Sequence, residues 1–244
     1  MATPVSASTL MLRARRAANL EGATEFIPDD ELLDYINTSY ASWYDLVRLT
    51  TWGGQYFRSA WPIVTIQNQS LYALASNTAS VISVDLIIAQ NNQPVPILPY
   101  QEEQRGVFSP SMVIGWTPVA GRVFYQLQNA AAIGRAAGGI NFLPIPSGGY
   151  SINVNYAPTC PVITNPASTI NSINGWEEYI VLKAAIKCLG KTGNGAAIAM
   201  LQPQLNEERA RIENAAAEMD LGNEGVHETE AYGARNLFTL FGGH

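Results

Sequence analysis

Residues with potentially reactive side chains occur in short groups along this 244-residue chain. One group resembles a phosphate-binding loop. Gly190-Lys191-Thr192 matches the end of that motif, but Ala185 stands where its first glycine is required. The motif also needs a strand before it and a helix after it. Glycine is expected at the end of a helix in any case. We therefore interpret the tripeptide as a helix terminus and not as a nucleotide site.

The remaining reactive residue types have simpler explanations than catalysis. His227 has acidic neighbours, at Glu224, Glu228 and Glu230, which is typical of a solvated acidic linker. Cys160 and Cys188 have neither metal-binding nor redox spacing, which favours a protein made in a reducing cytosol. Three acid pairs are explained by helix capping or solvation: Asp29-Asp30, Glu102-Glu103 and Glu207-Glu208. The sequence thus predicts no enzyme, no cofactor and no metal.

Charge and hydropathy exclude further classes of protein. The net charge is −6 and no block of Lys and Arg occurs, so duplex DNA binding is not expected. Charged residues make up only 14% of the chain, which favours surfaces that contact other proteins. No apolar run reaches membrane-spanning length and no signal-peptide core is present. Arg13, Arg15 and Arg16 could form a binding patch, but a solvated helix face is the favoured interpretation.

The chain is organised around a predicted buried helix near residues 174–189. Asn174 followed by Glu177 forms a capping box, and acids begin the helix while lysines end it. Its apolar side chains cover most of its surface, which places it at the centre of a core. We expect Trp176 and Tyr179 to anchor this helix.

Other helices are predicted on both sides of the central one. Residues 8–20 form a short helix that Ser8 can cap, and residues 29–49 form a longer one with Trp43 in its apolar stripe. A second long C-terminal helix extends to about residue 221, with Pro203 marking a kink or a helix start. Its apolar positions form a heptad-like seam: Ile198, Leu201, Leu205, Ile212 and Met219.

Residues 55–161 have a different character, with Pro, Gly and Asn between short β-rich runs. Strands are predicted at residues 81–89, 95–98, 122–128, 140–145 and 150–156, the last with strict alternation. The sequence thus predicts an α+β protein. Residues 1–54 and 162–221 form an α-helical bundle, with N-terminal helices and two long C-terminal helices, and residues 55–161 form an inserted antiparallel β domain. Residues 222–244 form an extended C-terminal tail.

This tail is rich in glycine and acids and then ends in apolar residues. It cannot bury enough apolar surface to fold alone. Its last apolar side chains would be costly to leave in water, which suits an added strand or a wedge between subunits: Leu237, Phe238, Leu240 and Phe241.

The order of these elements, with three short runs, resembles the head-to-tail adaptor (connector) proteins of tailed bacteriophages. The runs are DELLDYIN at residues 30–37, FLPIP at residues 142–146 and WEEYIVLKAAIKCL at residues 176–189. The last is the strongest, and the resembling segments cover about half the chain. Residues 55–128 are the least similar part.

The resemblance implies a structural protein of the virion neck, made in the host cytoplasm. Such adaptors form a ring, usually of twelve copies, under the portal protein. The ring extends the channel for genome ejection, so DNA passes without specific binding, and it offers a docking surface to a tail or nozzle protein. The C-terminal segment of such adaptors commonly reaches the portal, which assigns portal interaction to the four apolar tail residues. Another neck or tail-tube protein, or a virion-associated hydrolase, is the alternative.

Overall fold

The structure is a computed structural model that describes residues 2–22, 26–50, 56–88, 93–100, 123–128, 138–173 and 175–220. These residues form four helices: α1 (Ala7–Ala17), α2 (Asp29–Arg48), α3 (Glu177–Thr192) and α4 (Gly195–Asp220). They also form nine strands: β1 (Ala2–Ser6), β2 (Ser59–Val64), β3 (Leu71–Ala73), β4 (Thr78–Ile88), β5 (Gln93–Pro99), β6 (Phe124–Gln128), β7 (Gly139–Leu143), β8 (Ser151–Pro158) and β9 (Thr169–Ile173). No described helix is long and apolar enough to cross a membrane.

The chain forms two compact units. One, the helical unit, comprises the described residues of Met1–Gly53 and Cys160–His244, and the other, the β unit, comprises those of Gly54–Thr159. Each unit buries its own set of apolar side chains.

Helix α3 lies at the centre of the helical unit, where α1, α2 and α4 all pack against it. Its buried residues cover most of its circumference, as a helix with partners on several sides requires. The helix ends at Gly193, whose left-handed backbone (φ 70°) suits glycine. Lys191 and Thr192 therefore belong to a helix terminus, and the strand–loop–helix context of a phosphate-binding loop is not present there.

Two helix starts differ from the predicted ones. Helix α1 is capped by Ser6, whose hydroxyl accepts a hydrogen bond from the Thr9 amide at 3.2 Å, and Ser8 lies inside the helix. Helix α3 begins at Glu177 with Trp176 at the cap position, and Asn174 lies outside the described residues. There the Ser172 hydroxyl, on β9, accepts the Glu177 amide at 3.2 Å. The capping group thus comes from a strand.

The predicted fold class, a helical bundle with an inserted antiparallel β unit, is wrong. The helical unit contains a two-stranded antiparallel sheet, in which β1 pairs with β9 across most of the chain length. Helix α4 is continuous through Pro203, so no helix starts there. Of the described side chains of α4, only Ile212 and Ala216 are buried. The predicted heptad-like seam is therefore not fully buried, as it would be in a helical bundle.

The β unit is a seven-stranded sheet with the order β2-β8-β4-β5-β6-β7-β3. The sheet is mixed and not antiparallel, because β5 and β6 run parallel. Its two edge strands, β2 and β3, are consecutive in sequence and are joined by residues 65–70 alone. So short a connection requires the sheet to curl until its edges approach each other, which makes it nearly a barrel.

Alternation in the strands supplies the core of this curled sheet. Ile152 and Val154 of β8 point inward beside Val84 and Leu86 of β4, in register. Phe142 of β7 is also fully buried. The opposite face of β8 is polar and carries Ser151, Asn153 and Asn155.

Candidate functional site

A cluster of charged and polar side chains joins α1 to the start of α3. Arg13 donates to Glu177 at 3.2 Å and also pairs with Glu178. The other oxygen of Glu177 accepts a hydrogen bond from the Ser172 hydroxyl. The Glu177 side chain is 14% exposed and Arg13 35% exposed, so this is a partly buried network and not a surface pair. We call these four residues the α1–α3 clasp.

The protein holds the Glu177 carboxylate in its charged form. Burial by itself would raise its pKa, but the Ser172 hydroxyl, the Glu177 backbone amide and Arg13 outweigh burial and leave the pKa below its usual value. The two glutamates also lie in the first turn of α3, where negative charge is favoured by the helix dipole. We therefore expect the contribution of the clasp to stability to depend on the ionisation of Glu177.

A second cluster joins the C-terminal end of α3 to the start of α2. The Lys191 ammonium donates to the Phe26 carbonyl at 2.9 Å, pairs with Glu31, and lies 5.1 Å from the centre of the Phe26 ring. Tyr35 donates to Glu31 at 2.6 Å. The hydrogen bonds that Glu31 accepts from Lys191 and from Tyr35 lower the pKa of Glu31, and the bond to Glu31 raises the pKa of Tyr35 to about 12. Lys191 is thus engaged within the protein and is not presented to a phosphate.

The three arginines near the N-terminus do not form a solvated face, which corrects the favoured interpretation. Arg15 is buried, where it donates to the Ile27 carbonyl at 2.6 Å and to Asp29 at 2.9 Å. Arg13 belongs to the α1–α3 clasp, and only Arg16 pairs on the surface, with Glu21 at 3.1 Å. Nothing in the local sequence indicated these partners, because Arg13 and Glu177 are 164 positions apart.

Two acids of the predicted pairs form ion pairs with arginines in the described part of the chain. Asp29 pairs with Arg15, and Glu208 pairs with Arg211 at 2.6 Å. Glu102, Glu103 and His227 lie outside the described residues. Within the described ranges, no group of His, Cys, Asp and Glu has the arrangement of a metal site.

The predicted anchors lie in the helical unit, on elements that pack together. Trp43 of α2 is 0% exposed, Trp176 is 1% exposed and Tyr179 of α3 is 7% exposed. Their importance for stability remains a prediction. The predicted portal-interaction residues, Leu237, Phe238, Leu240 and Phe241, lie outside the described residues.

The most unusual surface belongs to the β unit, and the sequence analysis did not single it out. Among the described residues of this unit, only Arg58 and Asp85 carry a formal charge. The amide of Asn155, 1% exposed, donates to Asp85 at 2.6 Å and to Ser83 at 2.8 Å. The signal was available in the sequence, because residues 56–100 contain only Arg58 and Asp85 as charged residues and residues 136–159 contain none. Charged residues are depleted at the centres of protein interfaces, so such a surface suits protein contacts.

Several large apolar side chains of the β unit are exposed. They are Trp61, Val64, Ile66, Leu98, Leu127 and Ile145. Single exposed apolar residues are ordinary, but here they accompany a nearly uncharged surface. A nearly uncharged surface with exposed apolar side chains suits a protein that contacts other proteins.

Comparison with known proteins agrees with this class. Residues 5–232 match the family described as SU10 adaptor protein. Because the match covers most of the chain, the protein belongs to the SU10 adaptor protein family, a family of phage head-to-tail adaptors. No curated protein matches the chain.

Proposed function

We propose that this chain forms a ring between the portal and the tail in the neck of a phage virion. The ring extends the DNA channel and provides the surface on which the tail docks. Membership of the adaptor family supports a structural role in the virion. The ring is supported most by the near absence of formal charge from the described residues of the β unit. A ring subunit makes wide contacts with its neighbours, and an uncharged surface can be buried there without the cost of dehydrating charges.

The oligomeric state tests the ring directly. Mass photometry and negative-stain microscopy of the purified chain, alone and mixed with purified portal protein, should show closed rings with the mass of about twelve subunits. A chain that stays monomeric in both conditions would overturn the ring. An open filament would show that the subunit contact does not close.

The proposal assigns portal binding to the C-terminal segment. This assignment rests on the sequence, in which a glycine-rich acidic stretch is followed by Leu237, Phe238, Leu240 and Phe241. We expect deletion of residues 232–244 to leave the melting temperature unchanged and to abolish portal binding in a co-sedimentation assay. If the deletion lowers stability by several kcal/mol with portal binding intact, the segment packs on its own subunit and the assignment fails.

In this proposal, DNA passes through the channel without binding to it. Asp30 and Asp34 are exposed on α2, and the chain carries a net charge of −6. We expect binding to duplex DNA to be undetectable in a gel-shift assay at low salt. Tight binding with a steep dependence on salt would contradict the proposal, because it would require a basic surface.

A further inference from the structure

We propose that neighbouring copies of this chain are joined side by side through two complementary pairs of charges on their helical units. Lys183 and Lys187 on α3 of one copy, the lysine pair, meet Asp30 and Asp34 on α2 of the next, the aspartate pair. This inference rests on the proposed ring and deepens it by naming a contact that sets the direction in which subunits join.

The lysine pair stands apart from the other cations of the helical unit. In the described part of this unit, every arginine and Lys191 pair with a carboxylate, whereas Lys183 and Lys187 have no carboxylate partner. The Lys183 ammonium lies over the Tyr179 ring, 5.6 Å from its centre. Burial and the charge of Lys183 lower the pKa of Lys187. An acid supplied from outside the subunit would offset both effects and favour the charged lysine.

The aspartate pair shows the complementary pattern. Among the acids of the helical unit whose side chains are described, Asp30, Asp34 and Glu207 are the ones without a basic partner. Both aspartates are exposed. The members of each pair are four residues apart, so they lie on one face of their helix, about 6 Å apart along its axis. The two pairs therefore have the same spacing and can meet two to two.

The two pairs face different directions from the same subunit. Glu31, which accepts from Tyr35 of the next turn, pairs with Lys191 and so marks the edge of α2 that meets α3. Each aspartate lies one residue before Glu31 or Tyr35, and successive residues of a helix point about 100° apart. The exposed aspartate pair is thus turned away from α3, which carries the lysine pair. One copy consequently offers its lysine pair to one neighbour and its aspartate pair to another, which is a heterologous contact of the kind that closes a ring.

Charge favours this arrangement over a two-fold one. A two-fold contact through either pair would set lysine against lysine or aspartate against aspartate, and like charges repel. Opposite charges across an interface fix orientation and partner more than they add affinity. The nearly uncharged surface of the β unit can supply the buried area, while the charge pairs fix which way the neighbours face. The net charge of each subunit stays at −6, so the expectation for DNA is unchanged.

Charge reversal in the full chain tests this contact. The acidic variant carries Lys183→Glu and Lys187→Glu, and the basic variant carries Asp30→Lys and Asp34→Lys. Mass photometry and negative-stain microscopy measure ring formation, with and without purified portal protein. We expect each variant alone to reduce the fraction of chain in rings by at least about tenfold, because like charges then face one another. An equal mixture of the two should form rings again, because each variant presents the face that the other lacks.

Two controls keep the net charge of the unsubstituted chain. A chain with all four reversals exchanges the two faces and should form rings by itself. Arg209→Glu with Glu213→Arg reverses an exposed pair that is already joined within α4 at 2.9 Å, and should leave ring formation unchanged. Rescue by mixing also shows that both variants fold. If the acidic variant melts at a lower temperature than the unsubstituted chain, Lys183→Glu alone repeats the test with Lys187 kept.

Salt provides an independent readout. Between roughly 0.05 and 1 M NaCl, the range of interactions between exposed charges falls from more than about 10 Å to about 3 Å. The difference in ring formation between the acidic variant and the unsubstituted chain should therefore shrink to less than about threefold. A difference that persists in full at about 1 M NaCl would overturn an electrostatic contact.

The outcomes separate this inference from the proposed function. Rings formed by either variant alone, as by the unsubstituted chain, would overturn the inference and leave the ring standing. Loss of rings that mixing does not restore would show that the two pairs meet something other than each other, such as the portal or the C-terminal segment, and also overturns the inference. If the unsubstituted chain forms no ring, the proposed ring is wrong. The inference then stands only if the acidic variant captures the basic variant at least about tenfold better than either captures itself.

Discussion

Replacing Glu177 with glutamine removes the charge from the α1–α3 clasp while nearly preserving its size. Glu177 accepts from Arg13 at 3.2 Å and from Ser172, and its side chain is 14% exposed. A hydrogen bond to a charged group contributes about 1.5–3 kcal/mol. Arg13 is 35% exposed and keeps its pair with Glu178, so the loss must be discounted for solvent screening. We expect Glu177→Gln to lower the free energy of unfolding by about 1–2 kcal/mol.

Urea denaturation at neutral pH measures this loss, with an exposed pair as the control. Arg209 and Glu213 are 2.9 Å apart on α4 but are 61% and 46% exposed, so Glu213→Gln should change stability by less than about 0.5 kcal/mol. A double-mutant cycle that combines Arg13→Gln with Glu177→Gln separates the ion pair from the bond to Ser172. A coupling energy near zero would show that Arg13 and Glu177 do not stabilise one another.

The stabilisation by Glu177 should also depend on pH. The pKa of Glu177 in the folded protein lies below its ordinary value of 4.5, so its charge adds stability above pH 4.5 that is lost as the pH falls through the folded pKa. The stability difference between the unsubstituted chain and Glu177→Gln should therefore shrink below about pH 4.5. A difference that stays constant down to about pH 3 would refute an ionic role for this carboxylate.

Two further substitutions test the cores and the sheet. Trp176→Ala should lower the free energy of unfolding by about 3–5 kcal/mol, because the side chain is 1% exposed, and a thermal midpoint equal to that of the unsubstituted chain would contradict this anchoring role. Leu49→Ala, at a side chain 77% exposed, is its control and should change stability by less than about 0.5 kcal/mol. Asn155→Ala should cost about 1–3 kcal/mol in urea denaturation, because it removes the donor at 2.6 Å and leaves Asp85 with the Ser83 hydroxyl at 3.3 Å. Ser151→Ala, at an exposed position of the same strand, should be nearly neutral, and equal losses in these two variants would show that the Asn155 amide is not the stabilising group.

Much of the local structure was readable from residue patterns. Pro28 followed by three acids predicted the start of α2, which begins at Asp29. Strict alternation predicted β8, and its Ile152 and Val154 are buried as that pattern requires. The runs that resemble phage adaptors indicated the family that the whole-chain comparison then showed. In each case the signal lies within a few consecutive residues or in their order along the chain.

Tertiary structure decided the remaining features. Residues 2–6 became a strand because residues 169–173 lie beside them, and Ser172 then stands where it can cap α3. Arg15 is buried and Arg13 is partly buried because their acids and carbonyls come from other elements. The sheet is mixed because β6 meets β5 in parallel, a pairing that neither strand's alternation reveals. Periodicity in a sequence reports which face of a segment can be buried. Which segment covers that face depends on contacts between residues far apart in the chain.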